Sequence, residues 1–132
     1  MITGGRGYVL VLPFALAVLV ACGASSSGGG VCAQPEASST TSTVAPGGSV
    51  ELRGRFFLDG CNDQNETRPL PALRDQAVVW EQGGQSVELA RVDADRNGEV
   101  AVTVTVPSNA APGPGRITVG TGVPVSVTVA AE

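Results

Sequence analysis

The 132-residue chain has no histidine and no lysine, one tryptophan, and one methionine and one tyrosine that both fall within its first eight residues. Each shortage removes a class of chemistry. Without histidine or lysine there is no ready general base near neutral pH and no amine for a Schiff base. No serine lies in a Gly-x-Ser-x-Gly elbow. Only isolated hydroxyls and carboxylates remain, so catalysis is not expected. The missing histidine, and a methionine confined to position 1, also deplete the ligand sets that zinc and copper sites use, and no cofactor is expected. Positive charge is scarce too: eight arginines face twelve acids, a net charge of −4. That balance is a poor surface for nucleic acid or anionic head groups.

The first 22 residues carry the clearest signal present. Arg6 precedes an apolar run over residues 7–21, interrupted by Pro13 and ending in Leu19-Val20-Ala21-Cys22. A membrane-spanning helix needs about 20 apolar residues, and this run is shorter, the proportion of a secretory signal. A short run of this kind also fits an uncleaved anchor or a plain secretory signal with an incidental cysteine. The small residue at 21, the leucine at 19 and the cysteine at 22 resemble the lipobox of bacterial lipoproteins. That resemblance implies that residues 1–21 are removed, that Cys22 carries diacyl lipid, and that the chain is held on the extracytoplasmic face of the cell membrane. Without Arg6, seven arginines face twelve acids, a balance near −5. Attachment would then come from the lipid and not from a basic patch.

Three cysteines are an odd number for an exported chain. If Cys22 is lipidated, Cys32 and Cys61 remain, and an oxidising compartment favours a disulfide between them. Such a bridge closes a loop of about 28 residues and contributes about 3–4 kcal/mol in the chain-entropy view. A redox or metal pair is the other reading, but the spacing is not CxxC and no histidine is present.

Residues 22–43 are rich in Gly, Ser and Thr and read as a flexible tether. Residues 44–132 read as one domain of short strands. Residues 49–58 alternate, with Val50, Leu52, Gly54, Phe56 and Leu58 on one face and Phe57 on the other. Residues 77–81 and 87–92 give two more strands about Gly83-Gly84, and residues 99–106 alternate with every second residue valine. Asn97-Gly98 reads as a hairpin turn, and residues 111–115 (APGPG) as another turn. Residues 117–119 and 123–129 complete the set. No helical period appears after Cys22. Six or seven strands at this turn spacing predict an all-β, antiparallel sandwich. The expected core is Val50, Leu52, Phe56, Val79, Trp80, Leu89, Val100, Val102, Val104, Ile117, Val125 and Val127.

The runs VAPGGSVELRGRFF, VDADRNGEVAVTVTVP and APGPGRITV resemble Ig-like domains of secreted and surface proteins of high-GC Gram-positive bacteria. The resemblance implies an Ig-like fold and leaves function open, since such sandwiches host many roles. The inter-sheet cysteine pair and the tyrosine corner of antibody domains are not matched.

Candidate site residues are few. Asp93, Asp95 and Asn97 before Gly98 match the first half of a calcium loop, but the twelfth position is Val104 where a bidentate acid would be needed. A polar β-turn explains the same residues. Trp80 fits a core position or, if exposed, a stacking platform. The run DGCNDQNET over residues 59–67 clusters polar groups without a partner residue or spacing for acid–base work. The expected function is therefore a lipid-anchored, non-catalytic binding or structural module of the cell envelope, with an envelope or secreted protein as partner and no nucleic acid. A small-ligand or glycan carrier is the alternative, and it needs a lined pocket beside Trp80. The cysteine reading is checked by alkylating the oxidised, exported protein. Cys32 and Cys61 should resist modification until reduced, and two freely alkylated thiols would defeat the pairing.

Overall fold

The computed structural model describes residues 33–61 and 69–131. Residues 1–21, Cys22, Cys32 and the loop residues 62–68 lie outside them. Alternating valine and threonine favour extended backbone because branching at Cβ restricts χ1 and packs well on a pleated surface. The strands are β1 (Glu36–Ser39), β2 (Thr43–Val44), β3 (Ser49–Arg55), β4 (Gln76–Gln82), β5 (Gln85–Val92), β6 (Val100–Thr105), β7 (Gly113–Val119) and β8 (Val125–Val129). They form a three-stranded sheet, β1-β3-β6, and a five-stranded sheet, β2-β8-β7-β4-β5. Every pairing is antiparallel except β2 with β8. The molecule is an all-β sandwich. Among the described residues the smaller sheet ends at β6.

Three features differ from the sequence reading. The described residues form eight strands, not six or seven, and one pairing is parallel. The domain begins before residue 44: Glu36–Ser39 pairs with β3, with Glu36 opposite Arg55 and Ser39 opposite Leu52. This segment has no apolar alternation because backbone bonds and an Arg55–Glu36 ion pair, rather than core side chains, hold it. Asn97-Gly98 does not close a hairpin. It lies in a connection that carries the chain from β5 in one sheet to β6 in the other. The one two-residue hairpin among the described strands is β4–β5, where Gly83 (φ 58°) and Gly84 (φ 77°) supply the two left-handed residues that such a turn requires.

The buried core is largely valine. Val50, Leu52, Trp80, Val100, Val104, Ile117 and Val127 are buried as expected, joined by Val44, Phe57, Val78, Val106, Val119 and Val129. Leu89, Val102 and Val125 are half-buried against it. Two expected members are corrected. β4 alternates simply, so Val78 and Trp80 point inward and Val79 points out. The irregularity at this place belongs to β5, where Val78 opposes Ala90 and Val79 opposes Glu88, leaving Leu89 as the extra residue of a bulge.

The second correction is Phe56. It has φ 66°, a left-handed conformation that costs about 1–3 kcal/mol outside glycine. That single residue reverses the inside–outside register of the chain leaving β3. Phe56 is 38 % exposed beneath the Arg55 guanidinium, 4.9 Å from its ring centre, and Phe57 is fully buried. Burying a phenylalanine returns about 1.5–3 kcal/mol, which offsets the strain. The backbone groups of Phe57 are also met, its N–H donating to Gly98 O at 2.9 Å and its carbonyl accepting from Leu73 N–H at 2.9 Å.

The two large aromatics each occupy space left by glycine. A Cβ on Gly115 would run into the Trp80 ring, and a Cβ on Gly54 would run into Phe57 and Val100. Residues 113–115, which read as a turn in sequence, are accordingly strand β7 passing over the indole. One end of the sandwich gathers the start of β1 with residues 56–61 and 69–75 and the connections 93–99 and 120–124. The other gathers 45–48, Gly83-Gly84 and 106–112.

Phe57→Ala should destabilise the domain by about 3–5 kcal/mol and Phe56→Ala by less than about 1 kcal/mol, read from denaturant midpoints. Equal losses would show that the register reversal at Phe56 is wrong.

Candidate functional site

The acidic connection between β5 and β6 is built from its own side chains. Asp95 Oδ1 accepts the N–H groups of Asn97 at 2.8 Å and Glu99 at 3.0 Å, while Asp95 N–H donates to Glu99 O at 2.8 Å. Asp93 Oδ1 accepts Asp75 N–H at 2.7 Å, tying this connection to the start of β4. Asp75 has φ 56° and holds Arg91 at 2.9 Å, which also grips Glu88 at 2.8 Å. The hydrogen bond to Glu88, then the charge of Asp75, raise the Arg91 pKa above its ordinary value. Asp93 and Asp95 are thus engaged with backbone amides at different places. Among the described residues no group of three or more acids or cysteines is placed to hold a metal ion. The residues singled out for calcium act here as loop fasteners.

Trp80 is a core residue, 3 % exposed. Beside it lies only a crevice of about 80 Å³, lined by Gln82, Gln85, Val87, Pro107, Asn109 and Ala110. That is well under the roughly 300–1,000 Å³ of a small-molecule pocket. Larger concavities are open troughs on the surface. One of about 550 Å³ runs between Glu36, Arg53, Arg55, Glu99 and Val123. Another, of about 390 Å³, lies beside the Gly83-Gly84 turn and is crossed by the Glu81–Arg116 pair at 2.5 Å. Exposed pairs of this kind contribute about 0–1 kcal/mol each.

The polar loop after β3 is clamped at its root. Leu58 bridges Ala72, and Asp59 N–H donates to Pro71 O at 2.7 Å. Cys61 is exposed at the start of this loop. Its expected partner Cys32, the expected lipid site Cys22, and Asn62, Asp63, Gln64, Asn65, Glu66 and Thr67 lie outside the described residues.

An open sheet edge, like the loops, is a route by which a module of this kind meets a partner, but the sequence does not say which strand forms it; the structure places it at β6. A strand ending a sheet presents unpaired N–H and C=O groups, and proteins commonly blunt such edges with charge, proline or a bulge. β5, the edge of the larger sheet, carries Glu88, Arg91 and a bulge. β6 reads Val-Ala-Val-Thr-Val-Thr and has none of these. Its pairing continues to Val106, whose N–H donates to Gly48 O at 2.9 Å, in step with Val104 opposite Val50 and Val102 opposite Leu52. Alternate residues of an antiparallel strand turn their backbone groups to opposite sides. The backbone groups of Val100, Val102 and Val104 therefore face β3, and those of Ala101, Thr103 and Thr105 face outward from the sheet. All three of these residues are exposed. Val102 points inward yet stays half-buried, because among the described residues no strand flanks it on that side. The available signal was an absence: residues 100–115 contain no charged side chain. That run shows nothing of which strand lies at an edge.

No protein family matches the chain, and no curated protein is similar to it.

Asp95→Ala should lower stability by about 1–2 kcal/mol through loss of two amide caps, and millimolar calcium should leave the wild-type melting temperature unchanged. A clear calcium-dependent rise lost in Asp95→Ala would restore the metal reading.

Proposed function

We propose that this chain is a lipid-anchored, non-catalytic binding module on the extracytoplasmic face of the cell membrane, and that it engages a protein partner by strand addition at β6. The observation that carries the docking part is the bare β6 edge. It presents three outward-facing residues, Ala101, Thr103 and Thr105, free of charge, proline and bulge. Strand addition draws affinity from backbone bonds and specificity from alternate side chains, and both are on offer there. The carrier reading has weaker support, since Trp80 and Gly115 close the space between the sheets that a ligand would need.

The anchor rests on Leu19-Val20-Ala21-Cys22, whose first three residues end a 15-residue apolar run. The disulfide joins Cys32 to Cys61. Its support is placement: β1 begins beside the end of β3, with Glu36 opposite Arg55, and Val123 N–H holds Pro35 O at 3.1 Å. Cys32 is three residues before Pro35, so the thiol has only about 10 Å of chain to cover from that fixed point. The bridge would staple the start of the domain to the polar loop.

Cys22→Ala in the exporting host should abolish fatty-acid labelling and move the protein from membranes to the soluble fraction. Equal membrane retention of this variant would defeat the anchor.

A further inference from the structure

We infer that the partner of the β6 edge is a second copy of this chain, paired antiparallel about a two-fold axis through Thr103. This rests on the reading of β6 as the docking edge. In that register Thr103 exchanges both backbone hydrogen bonds with the partner's Thr103, and Ala101 and Thr105 exchange theirs with the partner's Thr105 and Ala101, about six bonds in all. The two three-stranded sheets become one continuous sheet.

A two-fold pairing sets the central residue against itself, so a charge there is self-repelling and an uncharged β-branched residue is favourable. β6 meets that condition along its whole length. The nearest acid on the outer face is Glu51, opposite Thr103 on β3 and held by Arg53 at 2.7 Å. Its counterpart in the second copy would lie three strand spacings away, about 14 Å, beyond the roughly 8 Å screening length at physiological salt. On the inner face Val102 comes beside the partner's Val104, which covers the side of Val102 that the single domain leaves half-exposed. The other edges fit a copy of themselves less well. β5 is charged and bulged, β1 is four residues long and carries Glu36, and β2 has two residues. The chemistry at β6 therefore favours its own duplicate.

The test uses the full chain in membranes. Thr103→Cys treated with a short bis-maleimide should give a band of twice the monomer mass, at least five-fold stronger than that from Ser126→Cys, an exposed position on β8 of the other sheet, with the wild-type chain as background. Purified in detergent, the wild type should scatter as a dimer. Thr103→Lys should scatter as a monomer that still unfolds cooperatively, because that side chain is exposed in the single domain, with a melting temperature that no longer rises with protein concentration. Cross-linking no stronger than from Ser126→Cys, or a Thr103→Lys chain that remains dimeric, overturns the inference. A cross-link from Thr103→Cys to a chain of different mass overturns self-pairing but leaves β6 as a docking edge. No cross-link to any protein removes both.

Discussion

The sandwich depends on two aromatic side chains fitted over glycines. Sheets pack face to face about 10 Å apart, and a core made mostly of valine fills that gap evenly only where both faces are short-branched. Trp80 and Phe57 are the large exceptions, and each sits where the facing or adjacent strand has no Cβ to obstruct it, over Gly115 and over Gly54. The fit explains two features that look unfavourable in isolation. A Pro-Gly-rich segment serves as strand β7 because only glycine allows the indole beneath it. A phenylalanine adopts positive φ because that turn delivers its neighbour to the core. With Trp80 and Phe57 in place the valines need only alternate.

Much of this was legible in sequence, and the failures have physical causes. Strands β3, β6 and β8 were readable because period-two alternation is what a half-buried strand requires, and β5 because Gly83-Gly84 turns the chain back from β4. β1 was not, because Glu-Ala-Ser-Ser contributes backbone pairing and charge but little core. In β4 the run Val78-Val79-Trp80 offers two choices of face, and the choice is decided by which valine shares an inward direction with Trp80. Phe56 and Phe57 are chemically identical, so nothing local says which is inside; the answer lies in one dihedral angle.

The candidate site was less legible than the fold. Motif reasoning favoured residues with polar or metal-binding side chains, and those residues proved to be fastening loops, as Asp93 and Asp95 do. The surface with unmet hydrogen-bonding capacity is backbone, on a strand whose side chains are unremarkable. An edge is a property of sheet order. It appears only once it is known that the chain passes from β5 in one sheet to β6 in the other and that, among the described residues, no strand lies beyond β6 in its sheet.

If the chain is anchored through Cys22 as proposed, the position of β1 also bears on posture at the membrane. The chain joins the domain at the end that holds the long connections, so a domain hanging alone from its arm could stand upright with its strands along the membrane normal. Antiparallel union through β6 forbids that stance for both copies together, since their arms would leave from opposite ends. The pair would instead recline, strands parallel to the bilayer and an arm descending at each end. Residues 23–35 span at most about 45 Å, against the roughly 20 Å length of β6, so the reach is sufficient. The upper sheet would then face away from the lipid as a broad platform, with the loops at its margins.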